Sequence, residues 1–442
     1  MIKVITYGTY DLFHYGHQRL LERAKELGDY LIVGVTADDF DKQRGKINVK
    51  QSLMERIESV RATGLADEII IEEYEGQKID DIKRYGVDIF TVGSDWVGHF
   101  DYLNEYCDVV YLDRTEGVSS SQIRSDNRSI NLGLVGEGNI LKKFFNESKF
   151  VNGIEVNAIC VDNEKEKKEY DDVGLTLADS YDDLLGLVDA VYIISHPYKH
   201  YSQVKEALIN GKHVLCESPF ALKEEEVIEL EKLASDNGLI LMDSIKTAYS
   251  TAFNRLLLLI KGGKIGDVYS IDATCTSLRE FDENSWNSIT AWGPTALLPI
   301  FQILGTDYQE KTINSLLLDN KPNFDLFTKI DFKYENAVAS IKVANSVKSE
   351  GELIISGSEG YAYVPAPWWK TDYFELRYEN QEDNKKYFYQ LDGEGIRYEL
   401  VAFAKSIEIG KNNTYIDFEI SKAICKIMED FEDNNYSIIK KH

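Results

Sequence analysis

An apolar run that breaks at a glycine-containing turn and resumes as a helix leaves few folds open, and this chain has one at each of two places. In the first, Ile2-Lys3-Val4-Ile5 leads into Thr6-Tyr7-Gly8-Thr9-Tyr10-Asp11-Leu12-Phe13-His14-Tyr15-Gly16-His17, and Gln18 to Lys25 follows with helical spacing of apolar residues. A turn of this kind presents backbone N–H groups and a helix N-terminus, which together favour a phosphate. His14 and His17, three apart where the helix begins, can face one ligand. The plainer reading is a turn with two polar residues at a helix start. In the second place, Ile130-Asn131-Leu132-Gly133-Leu134-Val135-Gly136-Glu137-Gly138-Asn139-Ile140 again reads as strand into glycine turn. The run Val156–Val161, closed by Asp162, sits about 24 residues further on, near the spacing for an acid that contacts a dinucleotide ribose. Asp162 favours NAD over NADP, whereas Lys165, Lys167 and Lys168 leave NADP open; as a plain turn acid, Asp162 would do neither.

The chain has 442 residues, enough for two or three domains. A formal net charge of −26 argues against a sequence-independent nucleic-acid role and against attraction to anionic lipid. A phosphate site must then be a local basic pocket in an acidic protein. Cys107, Cys160, Cys216, Cys275 and Cys425 are far apart with no C-x-x-C, which signals neither zinc nor a disulfide framework and fits a reducing compartment. With no signal peptide and no apolar run long enough for a bilayer, the expectation is a cytoplasmic protein without membrane insertion.

The order of elements sets the fold class. Strands at Tyr30–Val35, Glu68–Ile71 and Ile89–Val92 alternate with helices at Ser52–Thr63 and Ile79–Tyr85, the pattern of a doubly wound parallel sheet. Ligands of such sheets bind beyond the carboxyl ends of the strands, where Thr9, His14, His17 and Asp95 fall. Arg56 and Arg61, on the helix from Ser52, read equally as a solvated face or as part of the site. Domains are expected at 1–126, 130–246 and 247–442, with the first joint in the polar stretch Arg124–Ser129.

The segment G-T-Y-D-L-F-H-Y-G-H, with Gly93-Ser94-Asp95-Trp96, Phe100-Asp101 and Arg114-Thr115-Glu116-Gly117-Val118-Ser119-Ser120-Ser121, resembles the small cytidylyltransferases, closest to those acting on glycerol 3-phosphate. The last segment matches that family's R-T-x-G-[IV]-S-[ST]-[ST] signature. The resemblance implies attack of a phosphate monoester on the α-phosphorus of CTP with Mg²⁺. His14, His17, Arg114 and Lys46 would neutralise charge as catalytic residues. Thr9, Tyr10, Asp11, Arg44, Gly93, Asp95, Thr115, Ser119, Ser120 and Ser121 would bind CTP, with Asp95 on the nucleoside and Asp11 on the metal or substrate. There are departures: Gly64-Leu65-Ala66 lacks the family's arginine, and His99 stands where a lysine is common, so the acceptor is left open.

Two later stretches, Asp189–Tyr201 and Ala207–Pro219 with its Gly211-Lys212-His213-Val214-Leu215-Cys216-Glu217-Ser218-Pro219, resemble the Gfo/Idh/MocA oxidoreductases, whose signature there is G-K-H-V-x-x-E-K-P. The resemblance implies a Rossmann domain followed by an α/β domain on an open, mostly antiparallel sheet, to which Val268–Cys275, Phe327–Tyr334, Ala337–Val343 and Gly351–Ser356 would belong. It implies NAD or NADP held by Gly136, Gly138, Asn139, Ile140, Asp162, Ser195, His196, Pro197, His200, Glu217 and Ser218. The family's lysine is Ser218 here, and Thr290–Leu298, matching its later Asp/His region, has neither residue. Hydride transfer to a carbonyl needs an acid, for which Lys246, Tyr249 and His200 are the candidates by position. Pro365–Lys370, with two tryptophans, reads as a substrate-side or oligomer-side loop or as packing.

Together these imply a bifunctional, homo-oligomeric enzyme making a CDP-activated polyol for a teichoic-acid-like or capsular polymer. Its partners would be CTP and a polyol or sugar phosphate. The alternatives are a cytidylyltransferase carrying a catalytically silent module for dimerisation or cofactor sensing, and an adenylyltransferase of the same superfamily.

Overall fold

The computed structural model describes residues 1–11, 13, 15–37, 51–74, 76–113, 130–136, 138–149, 151, 153–161, 167, 170, 174–279, 285–319, 321, 323–389, 391, 393–412 and 414–440, the side chains of Asp95 and Asn139 excepted. The chain divides into two compact units, Met1–Asn127 and Arg128–His442.

The first unit is a parallel sheet built from β1 (Lys3–Gly8), β2 (Tyr30–Thr36), β3 (Glu68–Glu72), β4 (Ile89–Gly93) and β5 (Asp108–Leu112) in the order β3-β2-β1-β4-β5. Val4, Ile5, Leu31, Ile32 and Phe90 have no exposed surface, as expected of central strands covered on both faces. Among the described residues its helices are α1 (Tyr15–Glu26), α2 (Leu53–Ala62) and α3 (Gln77–Tyr85). Ser52 and Thr63, the ends of the helix read from sequence, are the caps of α2; Ser52 and Glu55 close a reciprocal capping box that satisfies two amide donors. Chain order reverses direction at β1, between β2 and β4, so a crevice opens beyond the carboxyl ends of β1 and β4.

The second unit starts with a parallel sheet of β6 (Ile130–Gly136), β7 (Ile154–Cys160), β8 (Thr176–Leu177), β9 (Ala190–Ile194), β10 (His213–Glu217) and β11 (Leu241–Ser244), ordered β11-β10-β9-β6-β7-β8. Its helices are α4 (Asn139–Ser148), α5 (Tyr181–Leu187), α6 (Pro197–Ile209) and α7 (Glu224–Asp236). After α8 (Thr251–Lys261) comes a nine-stranded sheet of β12 (Val268–Thr276), β13 (Glu310–Leu317), β14 (Asp325–Lys333), β15 (Val338–Ala344), β16 (Leu353–Gly357), β17 (Gly360–Val364), β18 (Tyr373–Tyr378), β19 (Lys385–Phe388) and β20 (Ser437–Ile438). Only the β12–β15 and β13–β20 pairs are parallel. Helices α9 (Ser288–Leu304), α10 (Ile396–Ile409) and α11 (Phe418–Glu432) complete it. One apolar core runs through this unit, joining Tyr192 and Leu215 of the parallel sheet to Ile271 and Val343 of the mixed one.

The two tryptophans of the Pro365–Lys370 loop have different roles. Trp368 has no exposed surface, and its indole donates to the Thr274 carbonyl at 3.1 Å, whereas Trp369 lines a cavity. Among the described residues, no helix is long and apolar enough to cross a membrane. Trp368→Ala should destabilise the second unit by about 3–5 kcal/mol. The loss would appear as a lowered urea midpoint for that unit's unfolding, followed by circular dichroism.

Candidate functional site

The crevice of the first unit is held by a buried cation. Arg56 on α2 is fully enclosed, so the solvated-face reading is corrected. Its guanidinium donates to the carbonyls of Thr9 at 2.7 Å, Thr36 at 2.9 Å and Gln51 at 3.2 Å. One planar fork thereby ties the turn after β1, the end of β2 and the approach to α2. Asp11 is fixed from the same side, its carboxylate accepting the Gln51 N–H at 3.0 Å. A buried polar layer lies beneath: Glu72 accepts from Thr36 at 2.8 Å and pairs with Lys78, and Tyr7 donates to Asp81 at 2.8 Å.

Tyr10 has φ +55° and a buried ring, so it shapes the turn and packs instead of pointing at a ligand as sequence had placed it. That ring is edge-on to His17 at 5.5 Å and crowds Gly8, where a Cβ would lie 3.0 Å from it. Gly93 ends β4, and Asp95 sits in the 3₁₀ turn Ser94–Trp96 beyond it. The structure thus brings Thr9, Asp11 and His17 together beyond β1 and places Gly93 and Asp95 beyond neighbouring β4. His14, Arg44, Lys46, Arg114, Thr115, Ser119, Ser120 and Ser121 lie outside the described residues.

In the second unit β6 passes into α4 through Gly136 and Gly138. Gly136 has φ +134°, and a Cβ on it would lie 2.5 Å from the Ile194 carbonyl carbon. Only glycine fits where β6 meets β9 so closely. Gly138 is the N-cap of α4 at φ +93°, and nothing lies within 4 Å of where its Cβ would be. This open cradle at a helix N-terminus fits a pyrophosphate, with the N–H groups of Asn139 and Ile140 in the first turn. Asp162 lies outside the described residues. His196 and Pro197 are the N-cap and first residue of α6, and Ser195 donates to Gln203.

A cavity of about 610 Å³ opens beyond β9, β10 and β11, lined by Ile140, Ile194, Glu217, Ser218, Ser244 and Lys246 on one side. Ala291, Trp292, Pro294 and Thr295 of α9, with Arg279 and Trp369, form the other. Glu394 binds Lys143 at 2.8 Å, Lys246 at 3.7 Å and Lys370. Burial works against ionisation of Glu394, but these lysines outweigh it and hold the carboxyl down at about 2. Arg279 lies over the Trp292 ring at 4.6 Å. The wall therefore offers four cations against Glu217 and Glu394, a local basic pocket in a chain of net charge −26.

Two of the three acid candidates are placed elsewhere. Tyr249 is buried, its hydroxyl 2.7 Å from that of Thr414 and its ring against Tyr415. His200 is fully buried, with Nδ1 2.8 Å from the Pro219 carbonyl and Nε2 2.6 Å from that of Ser195, and burial pulls it down to about 4. As a neutral ring it can donate to only one of the two carbonyls at a time, and it is enclosed away from the cavity wall. Lys246 remains on the cavity wall. Sequence reasoning missed Lys143, Lys370, Arg279 and Glu394, which lie far apart in the chain and carry no motif.

Fold and sites define a two-part nucleotide enzyme: a parallel-sheet nucleotidyltransferase unit, then a dinucleotide-binding sheet with an attached mixed sheet. Residues 5–126 match the cytidylyltransferase-like family model, and residues 130–244 match that of the oxidoreductase family with an NAD-binding Rossmann fold. A glycerol-3-phosphate cytidylyltransferase of Bacillus spizizenii is 52% identical over 130 residues, 29% of this chain and the whole of that protein. A dTDP-3,4-didehydro-2,6-dideoxy-alpha-D-glucose 3-reductase of Streptomyces violaceoruber is 33% identical over 116 residues, 26% of this chain and 34% of that one. The fold of a 3-ketoreductase from Actinomadura kijaniata, solved with NADP and TDP-benzene, covers 71% of this chain and 100% of that one at a TM-score of 0.64 and 17% identity. The chain belongs to the cytidylyltransferase-like family through its first unit, and the parallel-sheet part of its second unit is similar to the Gfo/Idh/MocA oxidoreductases.

Arg56→Lys keeps the charge but cannot bridge three carbonyls. It should lower the kcat/KM of cytidylyl transfer at least about tenfold, read as pyrophosphate release, with nicotinamide binding unchanged. Gly136→Ala should do the converse, abolishing NADPH fluorescence enhancement while pyrophosphate release persists.

Proposed function

We propose that the chain is a bifunctional enzyme that makes a CDP-activated polyol. In the first unit an anionic oxygen of a sugar or polyol phosphate attacks the α-phosphorus of CTP. A new P–O bond forms, and pyrophosphate leaves. The nucleophile is already ionised, so the requirement is charge neutralisation and in-line positioning. His14, His17, Arg114 and Lys46 fill the first role, with Mg²⁺ near Asp11. Thr9, Asp95 and Ser119–Ser121 hold the nucleotide, and Arg56 fixes the turn that carries Thr9. The relatives named for glycerol 3-phosphate support CTP and a polyol phosphate as the substrate classes.

The second unit would reduce a keto-sugar phosphate or its CDP adduct. When bound, NADH or NADPH supplies the hydride. Gly136, Gly138 and the start of α4 would hold its pyrophosphate. Lys143, Lys370 and Arg279 would hold the anionic part of the substrate, and Lys246 would orient the carbonyl. The observation that carries this reading is the lysine- and arginine-lined cavity directly beyond a glycine cradle that fits a dinucleotide. The relatives and fold neighbours named for nucleotide-linked ketoreductases support a keto sugar as the substrate class. Products of this class suit teichoic-acid-like or capsular polymers, and a homo-oligomer is part of the proposal.

One observation favours the catalytically silent alternative: α9 presents Ala291, Trp292, Pro294 and Thr295 to the cavity, without an Asp or His. Nicotinamide absorbance separates the two. With a panel of ketose phosphates, NADPH or NADH should be consumed, and the dependence on CTP gives the order of the two steps. Pyrophosphate release with no nicotinamide consumption under any condition would establish the silent module instead. ATP that supports pyrophosphate release better than CTP would overturn the cytidylyl assignment.

A further inference from the structure

The reduction requires a proton at the carbonyl oxygen, and the chain has serine where its family has lysine. The cavity floor holds an alternative source. Glu217, the last residue of β10, lines the cavity and accepts the Tyr192 hydroxyl at 2.6 Å. The Ser244 hydroxyl, opposite it at the end of β11, lies 3.4 Å from the same Glu217 oxygen and 3.0 Å from Oε2 of Glu399 on α10. Glu399 and Ser244 are almost fully buried. Ser244 has one hydrogen and stands between two carboxyl groups, so it can donate to only one of them at a time. Two anions sharing one buried hydroxyl repel, and one proton on the pair removes that repulsion.

Burial dominates the surroundings of both carboxyl groups. Burial raises Glu217, and Tyr192, Lys246 and Ser244 only partly offset it. Burial and then the charge of Glu217 push Glu399 up further, with Glu147 of α4 adding to this and Ser244 and Lys246 opposing it. Lys246, the cation acting on both, is already held against Glu394. Beside Glu217, burial lifts Asp243 to about 7, and the Ser218 hydroxyl, which also lines the cavity, is turned toward it. That serine cannot replace a lysine as acid.

We propose that Glu217 and Glu399 share one proton through Ser244, and that Glu217 is the catalytic acid of the reduction. This rests on the reductase reading given above. Hydride from the reduced nicotinamide forms the new C–H bond as the C=O π bond breaks, and Glu217 gives its proton to the oxygen to form the O–H bond. Before that step the one proton can reach Glu217 from Glu399, which passes it to Oγ of Ser244 as Ser244 passes its own to Glu217. After the step both carboxylates are anionic, and one proton from solvent restores the pair. Both carboxyl groups are raised, so the pair is protonated below its raised pKa and empties as pH climbs through it. Reduction should therefore fail on the alkaline side.

The experiment measures kcat and KM for reduction against pH in the wild type, Glu217→Gln, Glu399→Gln and Ser244→Ala. Infrared difference spectra of the cofactor-free proteins accompany it. Glu217→Gln should lose at least about a hundredfold in kcat with NADPH affinity retained. Glu399→Gln removes a neighbouring negative charge, so Glu217 should release its proton at lower pH and the alkaline limb should move down by about one unit. Ser244→Ala, a mild change, should lower kcat without moving NADPH affinity. At neutral pH the wild type should show a protonated-carboxyl band that Glu399→Gln weakens and does not abolish, since Asp243 contributes to it as well. An unchanged pH profile in Glu399→Gln, or a Glu217→Gln effect confined to cofactor affinity, overturns the proposal while the reductase reading stands. A wild type that consumes no nicotinamide overturns both.

Discussion

Both units depend on the same constraint: the first turn of a helix leaves its N–H groups without partners in the helix, and parallel strands that end side by side aim several such turns at one place. In the first unit the turn after β1 must be held open, and the enclosed Arg56 guanidinium does this by bonding three carbonyls from three parts of the chain. In the second unit β6 and β9 approach until only hydrogen fits at Gly136. Neither arrangement stabilises the fold most where it lies. Each holds backbone in a shape that a phosphate can use.

Charge then decides what enters. A chain of net charge −26 repels anions at long range, so its phosphate sites must be built from local cations. In the second unit Lys143, Lys246 and Lys370 converge on Glu394, which keeps three like charges within one wall at tolerable cost. The family's acid is gone from β10, yet carboxyl groups with raised affinity for protons lie directly behind the cavity floor. If Glu217 is the acid, as proposed, the departures at Ser218 and along α9 relocate the acid and do not remove it.

Much of this was legible in the chain, and the remainder was hidden for definite reasons. The strands and glycine turns could be read because period and turn chemistry are local, and the family signatures because they are contiguous. Arg56 could not be assigned: helical spacing says which face a residue is on, not whether three carbonyls enclose it. Lys370 and Glu394 come to the cavity wall, and Glu399 to the buried layer behind it, from more than a hundred positions beyond the dinucleotide motif, and no spacing rule connects them. Tyr249 lay near Lys246 in sequence, but the 3₁₀ turn Lys246–Tyr249 points the two in different directions, one to the cavity and one to Thr414.

A bifunctional enzyme of the kind proposed acts with both units on one molecule. The direct measurement is mass spectrometry of the product formed from CTP, a ketose phosphate and nicotinamide cofactor deuterated at the transferred position. The expected result is a single product carrying both the cytidylyl group and the deuterium. A CDP-linked product that never contains deuterium, with any ketose phosphate and with either NADH or NADPH, would contradict it.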